Sequence, residues 1–361
     1  MLRVLRWIFP VLLWSIVIFI AAQTPPDARV IQMNTTLALH TEPNSNNPPV
    51  TFLEAETALY VVGRSADAQW LEVRTGSTIH GWVVADYITL DMTLASIPIT
   101  DGSDPDAYFA PHVIANMREI YARGQERGNR PNVFSRVGDS ITVSRNFLQS
   151  IGTGAYDVSA FPHLAPVIDY YSEQQFPTGN SFNRRSMAAK VGWAAWGVLS
   201  GEQSNAGFCA YQEAPLACEY RLSRPSVALI MFGTNDMMYR TTSQYRADLL
   251  EIIDLSYERG IIPVLSTIPP RPAMEWEVEQ FNQVIREVTD ELSLPLWDYG
   301  SQMAMLPNYG LLEDGIHPSA PPEGSMFTAF FTGQNMQYGY VVRNLSALDM
   351  LYHIWQTLGS E

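Results

Sequence analysis

Short apolar runs alternate with helical patterns from about residue 131, and this alternation is the feature that most constrains the fold. The runs VALIMF at 227–232 and IIPVLST at 261–267 read as strands buried on both faces. Helical apolar spacing follows them at 245–259 and 276–292. The pattern predicts a parallel sheet with helices on both sides, in which functional residues collect at the carboxyl ends of the strands.

The preceding part of the chain, residues 28–91, shows a different pattern. It contains strand candidates rich in β-branched and aromatic residues at 58–64, 70–74 and 81–90, separated by turn residues. With no helical pattern between them, these strands predict a small all-β barrel. Residues 92–110 contain Pro98, Gly102 and Pro105 and are expected to form a linker to a second domain at 111–361.

Residues 1–22 have the layout of a signal peptide. Arg3 and Arg6 precede an uncharged apolar run at 7–20, and Ala21 and Ala22 supply small residues near a cleavage point. The alternative is an uncleaved membrane anchor that tethers the protein through residues 7–22, although a bilayer span needs about 20 apolar residues. Both interpretations predict an extracytoplasmic protein, either secreted or held at the outer face of the cytoplasmic membrane.

Charge and cysteine content exclude several classes of partner. The net charge of −15 disfavours binding to nucleic acid and to anionic lipid. Two cysteines exclude a four-cysteine zinc site, and no histidines are spaced i, i+4, so neither a metal nor a cofactor is expected. For an exported chain, Cys209 and Cys218 are expected to form one disulfide, and two buried thiols are the alternative.

Three short motifs follow predicted strands and bring together the groups that nucleophilic catalysis needs. Ser140 follows the first strand of the second domain, Asn235 follows the run at 227–232, and Asp314 and His317 precede the closing helix. A serine hydroxyl needs a base such as imidazole to take its proton, and the imidazole needs a carboxylate to fix its tautomer. A side-chain amide such as that of Asn235 can stabilise an oxyanion.

These motifs resemble a known family. GDSIT at 138–142, GTND at 233–236 and DGIHP at 314–318 are similar, in order and context, to conserved blocks of the GDSL/SGNH hydrolases. The resemblance covers about 131–358. It implies a flavodoxin-like three-layer α/β/α fold and a metal-free serine esterase. Carried over, Ser140 is the nucleophile and an oxyanion donor through its N–H, Asn235 is a second donor, His317 is the base and Asp314 is its partner.

One conserved block of the family differs in this chain. The family has an asparagine-arginine-glycine-like stretch whose glycine N–H donates to the oxyanion, and the nearest match here is the segment NRRS at 183–186. Arg185 occupies the place of that glycine. The sequence therefore leaves this donor open between the Arg185 backbone, Gly179 and Gly192.

The N-terminal part resembles a bacterial SH3-like (SH3b) domain in LALHTEPNSNN at 37–47, WLEVR at 70–74 and GWVVADYI at 81–88. That family implies a barrel attached to exported enzymes that act near the cell wall. The combination predicts an exported serine esterase for O-acyl esters on a small molecule or polymer, with a carbohydrate or cell-envelope substrate favoured and a cell-wall glycan or peptide as the barrel's ligand. The alternatives are a lipase or simple esterase and a non-catalytic wall-binding protein.

Overall fold

A computed structural model describes residues 29–33, 36–40, 42–45, 49, 51–53, 55, 59–75, 79–90, 93–100 and 108–359. The expected signal peptide or anchor at 1–22 lies outside these residues. Among the described helices, none combines the length and the apolar character that a bilayer crossing requires.

The N-terminal unit is built from short antiparallel strands. They are β1 (Arg29–Met33), β2 (Leu37–Leu39), β3 (Thr51–Leu53), β4 (Leu59–Arg64), β5 (Trp70–Thr75), β6 (Ile79–Val84) and β7 (Ile88–Thr89). One sheet has the order β6-β5-β4-β1-β7, and the β2–β3 pair joins β6 through mutual hydrogen bonds between His40 and Trp82. The single strand expected at 81–90 is wrong: a turn at Ala85–Tyr87 breaks it, because β7 must turn away to pair with β1 at the opposite edge.

Alternating side chains of these strands form the core of the barrel. Leu59 and Val61 of β4 are buried against Leu71 and Val73 of β5. Trp70 and Trp82 are also buried, but neither belongs to this core, and the ring of Trp70 packs edge-on against that of His40 at a centroid distance of 5.3 Å.

Part of the expected linker is attached to the barrel. The side chain of Ile97 is buried in the barrel core, and Ile99 pairs with Arg64 at the end of β4. Further along, the ring of Tyr108 stacks on that of His353 at a centroid distance of 3.7 Å and lies 5.8 Å from the ring of His80. The barrel therefore contacts the second domain through aromatic and imidazole rings.

The second domain contains a parallel sheet of β8 (Arg130–Gly138), β9 (Pro225–Met231), β10 (Ile262–Ser266) and β11 (Leu296–Trp297), in the order β11-β10-β9-β8. Beyond β8, the sheet continues only as a parallel bridge between Gly138 and Ala189. With Ala189 counted as the second strand, the order is the flavodoxin-like 2-1-3-4-5. The expected α/β/α fold is confirmed, with its second strand reduced to one bridge.

The helices of this domain are α1 (Pro111–Glu126), α2 (Ser140–Val143), α3 (Gln149–Gly152), α4 (Ala165–Ser172), α5 (Ala195–Leu199), α6 (Pro215–Ser223), α7 (Thr242–Arg259), α8 (Glu275–Glu291), α9 (Tyr299–Ala304) and α10 (Gly339–Leu358). They cover the sheet in two groups: α10 packs with α1 and α4, and α7 packs with α5, α6 and α8. The sequence predicts the closing helix at 345–358, but the helix begins six residues earlier, at Gly339, because its polar residues Arg343 and Asn344 are buried by contacts with distant loops.

The expected disulfide is confirmed, since Cys209 and Cys218 are bonded to each other. The bond connects the loop before α6 to the helix itself, where Cys218 is fully buried. The same loop carries Phe208, whose ring lies 5.9 Å from the guanidinium of Arg185.

Replacing both cysteines with serine should lower the free energy of unfolding by about 2–3 kcal/mol, since the crosslink restricts the unfolded chain. Urea unfolding of Cys209→Ser/Cys218→Ser beside the wild type measures this difference. A reductant should destabilise the wild type to the same extent and leave the double variant unaffected. Equal unfolding free energies for the two proteins would contradict the prediction.

Candidate active site

Three loops at the carboxyl edge of the sheet meet in one place. Ser140 begins α2 immediately after β8, and Asn235 lies in the loop after β9. Asp314 and His317 lie in the long segment between β11 and α10. Because parallel strands end at the same edge, loops far apart in sequence become neighbours there.

The serine, histidine and aspartate side chains form one continuous hydrogen-bonded chain. Ser140 Oγ lies 3.0 Å from His317 Nε2, and His317 Nδ1 lies 2.7 Å from Asp314 Oδ2. A carboxylate can only accept, so Nδ1 carries the proton and Nε2 is left to accept from the serine hydroxyl. This tautomer is the one in which imidazole can remove the serine proton.

A tight turn sets the geometry of the Asp314–His317 pair. Asp314 Oδ1 accepts hydrogen bonds from the N–H groups of Ile316 and His317, both at 2.9 Å. Gly315 makes the turn possible with a φ of +65°, which lies in the left-handed region. Burial acts to raise the pKa of Asp314, but the bonds from His317 and Ile316 outweigh it and hold that pKa below its ordinary value. Asp314 is therefore ionised at neutral pH.

The amide of Asn235 is held by the loop after Ala189. Its Nδ2 donates to the carbonyl of Trp193 at 2.8 Å and makes only a long 3.5 Å contact to Asp139 Oδ2. One amide hydrogen is thus available to another acceptor. Asp236 fixes this loop by accepting from the N–H groups of Ala195 at 2.7 Å and Gly233 at 2.9 Å.

Two of the three backbone donors that the sequence left open already have acceptors. The Arg185 N–H donates to Thr178 Oγ1, and the Gly179 N–H donates to the carbonyl of Phe176. By contrast, the N–H groups of Gly192 and Ser140 have no acceptor among the described residues. Gly192 lies three residues beyond Ala189 and directly before Trp193, whose carbonyl is bonded to Asn235. Its φ of +77° explains the need for glycine.

Arg343 is a positioning residue that sequence reasoning missed. Its guanidinium donates to the carbonyl of Ile141 at 2.6 Å and to Thr142 Oγ1 at 3.0 Å, so α10 holds the turn that begins with Ser140. It is 1% exposed and lies over the ring of Phe147. The sequence signal is that Arg343 is the one charged residue in the stretch YVVRNLSAL at 340–348.

Two buried carboxyl groups are next in sequence to Ser140 and to Asn235. Burial raises the pKa of Asp139 to about 6, against the opposing effects of the Ile141 N–H and the charge of Arg343. Burial also raises the pKa of Asp236 to about 6, and its two backbone hydrogen bonds oppose the shift. Both groups therefore change charge in the mildly acidic range.

The described structure is thus an α/β protein with a hydrogen-bonded serine, histidine and aspartate at the carboxyl edge of its sheet. The model of the GDSL-like lipase/acylhydrolase family matches residues 137–321, just over half of the chain, and the bacterial SH3 domain model matches residues 35–89. The chain belongs to the GDSL-like lipase/acylhydrolase family and is a hydrolase that acts on ester bonds. Its N-terminal unit is a bacterial SH3 domain.

Several solved structures resemble the chain. An acetyl esterase mutant with acetate ion has a TM-score of 0.39 at 14% identity, covering 60% of this chain and 97% of that one. The lipase/acylhydrolase from Enterococcus faecalis has a TM-score of 0.37 at 18% identity, covering 60% and 92%. A carbohydrate esterase family 3 from Talaromyces cellulolyticus has a TM-score of 0.40 at 14% identity, covering 60% and 97%. No curated protein matches the sequence.

Asp139→Asn should flatten the pH dependence of stability. The carboxyl binds its proton more tightly in the folded protein, with a pKa of about 6, than in the unfolded chain, where it is 3.8. Its stabilising contribution is therefore fully present below pH 3.8 and is lost as the pH rises through 6, a change of up to about 3 kcal/mol. Urea unfolding at pH 4, 5, 6 and 7 should show a smaller decline for the variant than for the wild type.

The control is Asp254→Asn, on the exposed face of α7. The free energy of unfolding of this variant should decline between pH 4 and pH 7 as much as that of the wild type. Parallel curves for Asp139→Asn and the wild type would show that burial does not raise this pKa in the folded protein.

Proposed function

We propose that this protein is an exported serine esterase that uses Ser140, His317 and Asp314 as a catalytic triad. The observation that supports this most directly is the pair of contacts from Ser140 Oγ to His317 Nε2 at 3.0 Å and from His317 Nδ1 to Asp314 Oδ2 at 2.7 Å. Ser140 is only partly buried, so its hydroxyl is accessible to a substrate.

In the first half of the reaction, Ser140 Oγ attacks the acyl carbonyl while His317 Nε2 takes the hydroxyl proton. The carbonyl oxygen becomes an oxyanion, and Asp314 stabilises the imidazolium. When the tetrahedral intermediate collapses, the bond to the alcohol oxygen breaks and His317 returns the proton to that oxygen. The alcohol leaves, and the acyl group remains on Ser140.

In the second half, water replaces the alcohol. His317 takes one proton from a water molecule as its oxygen attacks the acyl carbonyl, and the same oxyanion forms again. Collapse breaks the bond to Ser140 Oγ, which regains its proton from His317. The products are a carboxylic acid and the free enzyme.

The oxyanion would be stabilised by Asn235 Nδ2 together with the backbone N–H groups of Ser140 and Gly192. What supports this choice is that these N–H groups have no other acceptor among the described residues and that the Asn235 amide is fixed beside Gly192 through Trp193. Donors that are fixed before the reaction need no reorganisation when the charge develops. We assign no role in catalysis to the Arg185 backbone.

The substrate that we propose is an O-acyl ester on a carbohydrate or another cell-envelope polymer. The support is the bacterial SH3 domain attached to the hydrolase domain, since such a module can bring the enzyme to a wall glycan or peptide. The proposed location is outside the cytoplasm, with residues 1–22 as signal peptide or anchor. A lipase or simple esterase with the same mechanism is the second candidate.

Ser140→Ala should abolish turnover of p-nitrophenyl acetate and of an acetylated polysaccharide. Loss of a serine nucleophile lowers kcat by about 10⁶. A fluorophosphonate probe should label the wild type and not the variant. Ser159→Ala, an exposed serine outside the site, is the matched control and should retain both activity and labelling. Equal activity of Ser140→Ala and the wild type would refute the mechanism, and an unlabelled wild type retained on cell wall would favour a binding protein.

Asn235→Ala should lower kcat by about 10²–10³ while the protein remains folded, because one oxyanion donor is lost. Steady-state kinetics on p-nitrophenyl acetate measure the effect. A change in KM alone, with kcat preserved, would argue that Asn235 binds substrate without stabilising the transition state.

Gly192→Ala and Gly128→Ala form a matched pair for the backbone donor. Both glycines have a φ of +77°, and a methyl group would meet no atom closer than 3.6 Å at either position. Each substitution should therefore cost about 1–2 kcal/mol of stability from backbone strain. Only Gly192→Ala should also lower kcat, because the strained turn displaces the N–H. Equal kcat for the two variants would exclude Gly192 as a donor.

A further inference from the structure

A cleft of about 500 Å³ lies beside the turn that carries Ser140. Thr142 and Val143 of α2 line one side of it, and the segment at 189–191, which leads into Gly192, lines another. The cleft therefore adjoins both the proposed nucleophile and the proposed oxyanion donor. Its volume is in the range of sites that bind small ligands or one part of a larger ligand.

The charged side chains that line this cleft are all cationic. They are Arg136, Arg184, Arg185 and Lys190, and no aspartate or glutamate is among the described lining residues. Only Arg184 has a carboxylate partner in the described part of the chain, Glu219 on α6. In a protein with a net charge of −15, such a concentration of positive charge beside the site is unexpected for a neutral substrate.

Two of these cations belong to the floor of the cleft. Arg136 and Arg184 are each 5% exposed. Arg136 donates to the carbonyls of Phe147 and Arg184 and has no carboxylate partner among the described residues. Burial, together with the neighbouring charge of Arg184, lowers the pKa of Arg136 to about 9, and the charge of Glu219 opposes the shift. Arg184 Nε is buried without a hydrogen-bond partner in the described structure.

The other two cations are at the rim. Arg185 and Lys190 are exposed. The polar contact of Lys190 Nζ is to Gln203 Oε1 at 3.2 Å, and the guanidinium of Arg185 lies 5.9 Å from the ring of Phe208. Neither forms an ion pair within the described ranges, so each can turn its charge to a ligand. Arg185, which stands where the family motif has a glycine, therefore lines the cleft.

We propose that this cleft binds an anionic group of the substrate, so that the enzyme acts on acyl esters of an acidic carbohydrate polymer. This assignment rests on the proposed esterase function and specifies its substrate class. Arginine forks and the lysine ammonium recognise carboxylate and phosphate equally, so the anion is a carboxylate of an acidic sugar or a phosphate of a phosphodiester-linked polymer. Because Thr142 and Val143, which follow Ser140 on α2, line the cleft, the bound anion would belong to the same polymer segment as the hydrolysed ester.

The test compares three substrates with the same acetyl content: acetylated polygalacturonate, acetylated poly(glycerol phosphate) and the neutral acetylated glucomannan. The wild type should show a higher kcat/KM for at least one acidic substrate than for the neutral substrate. The preferred acidic substrate then identifies the anion as a carboxylate or a phosphate. Arg185→Gln/Lys190→Gln should reduce the ratio of acidic to neutral kcat/KM about 3- to 10-fold, as expected for two exposed charge contacts. The exposed pair is substituted because Arg136 and Arg184 are buried and their loss endangers folding.

Arg127→Gln is the matched control, since Arg127 is exposed at the end of α1, beside the start of β8 and at the edge of the sheet away from Ser140. It should keep the wild-type ratio. Adding 0.5 M NaCl should reduce the wild-type ratio without any substitution, because salt screens exposed charges. A ratio of acidic to neutral kcat/KM near 1 for both acidic substrates would overturn the assignment. So would a higher ratio that neither the double substitution nor salt changes.

A binding measurement separates this proposal from the esterase function. Calorimetry with Ser140→Ala should detect binding of an unacetylated galacturonate or glycerol phosphate oligomer and no binding of a neutral manno-oligosaccharide. Adding Arg185→Gln/Lys190→Gln should weaken the binding of the acidic oligomer. If p-nitrophenyl acetate and all three polymers remain unhydrolysed while the acidic oligomer binds, the esterase proposal fails and the anion site stands. If esters are hydrolysed but neither acidic oligomer binds, the anion site fails alone.

Discussion

The buried guanidinium of Arg343 connects the last helix to the turn that carries Ser140, the proposed nucleophile, and the arrangement of the site depends on this contact. Its hydrogen bonds to the Ile141 carbonyl and Thr142 Oγ1 attach α10 to residues that directly follow Ser140. No carboxylate among the described residues forms an ion pair with it, and burial lowers its pKa. A carbonyl, a hydroxyl and the ring of Phe147 replace water around the cation. The turn is therefore held by β8 on one side and by α10 on the other, which keeps Ser140 within reach of His317.

The same principle recurs at the other loops, where charged or polar side chains are satisfied by backbone groups and so fix the backbone. Asp236 accepts from two N–H groups and holds the loop of Asn235, while Asp314 accepts from two N–H groups and orients His317. Each carboxylate orders a short loop that lacks a regular hydrogen-bond ladder. Such preorganised loops suit a reaction in which negative charge develops on one substrate oxygen, because the donors are in place before the charge appears.

The strands and the three motifs could be predicted from sequence because their signals are local. A continuous apolar run identifies a strand buried on both faces, and the carboxyl ends of parallel strands share one edge. The second strand could not be predicted, since it is a single bridge at Ala189 with no apolar run. For the same reason, the sequence left the backbone donor open between Arg185, Gly179 and Gly192, and of these three only the Gly192 N–H has no acceptor among the described residues. Arg343 was missed because its partners lie about two hundred positions away.

Helix α10 also links the nucleophile to the barrel. It carries Arg343 near its first turn and His353 near its end, and these positions are ten residues apart, or about 15 Å along the axis. His353 stacks on Tyr108, whose ring also contacts that of His80 from β6, and His80 Nε2 lies 2.8 Å from the buried Glu72 of β5. One helix therefore contacts both the turn that carries Ser140 and, through Tyr108, the bacterial SH3 domain. A polymer held by the barrel would then have its ester groups at a high effective concentration near the site, provided that its length matches the span.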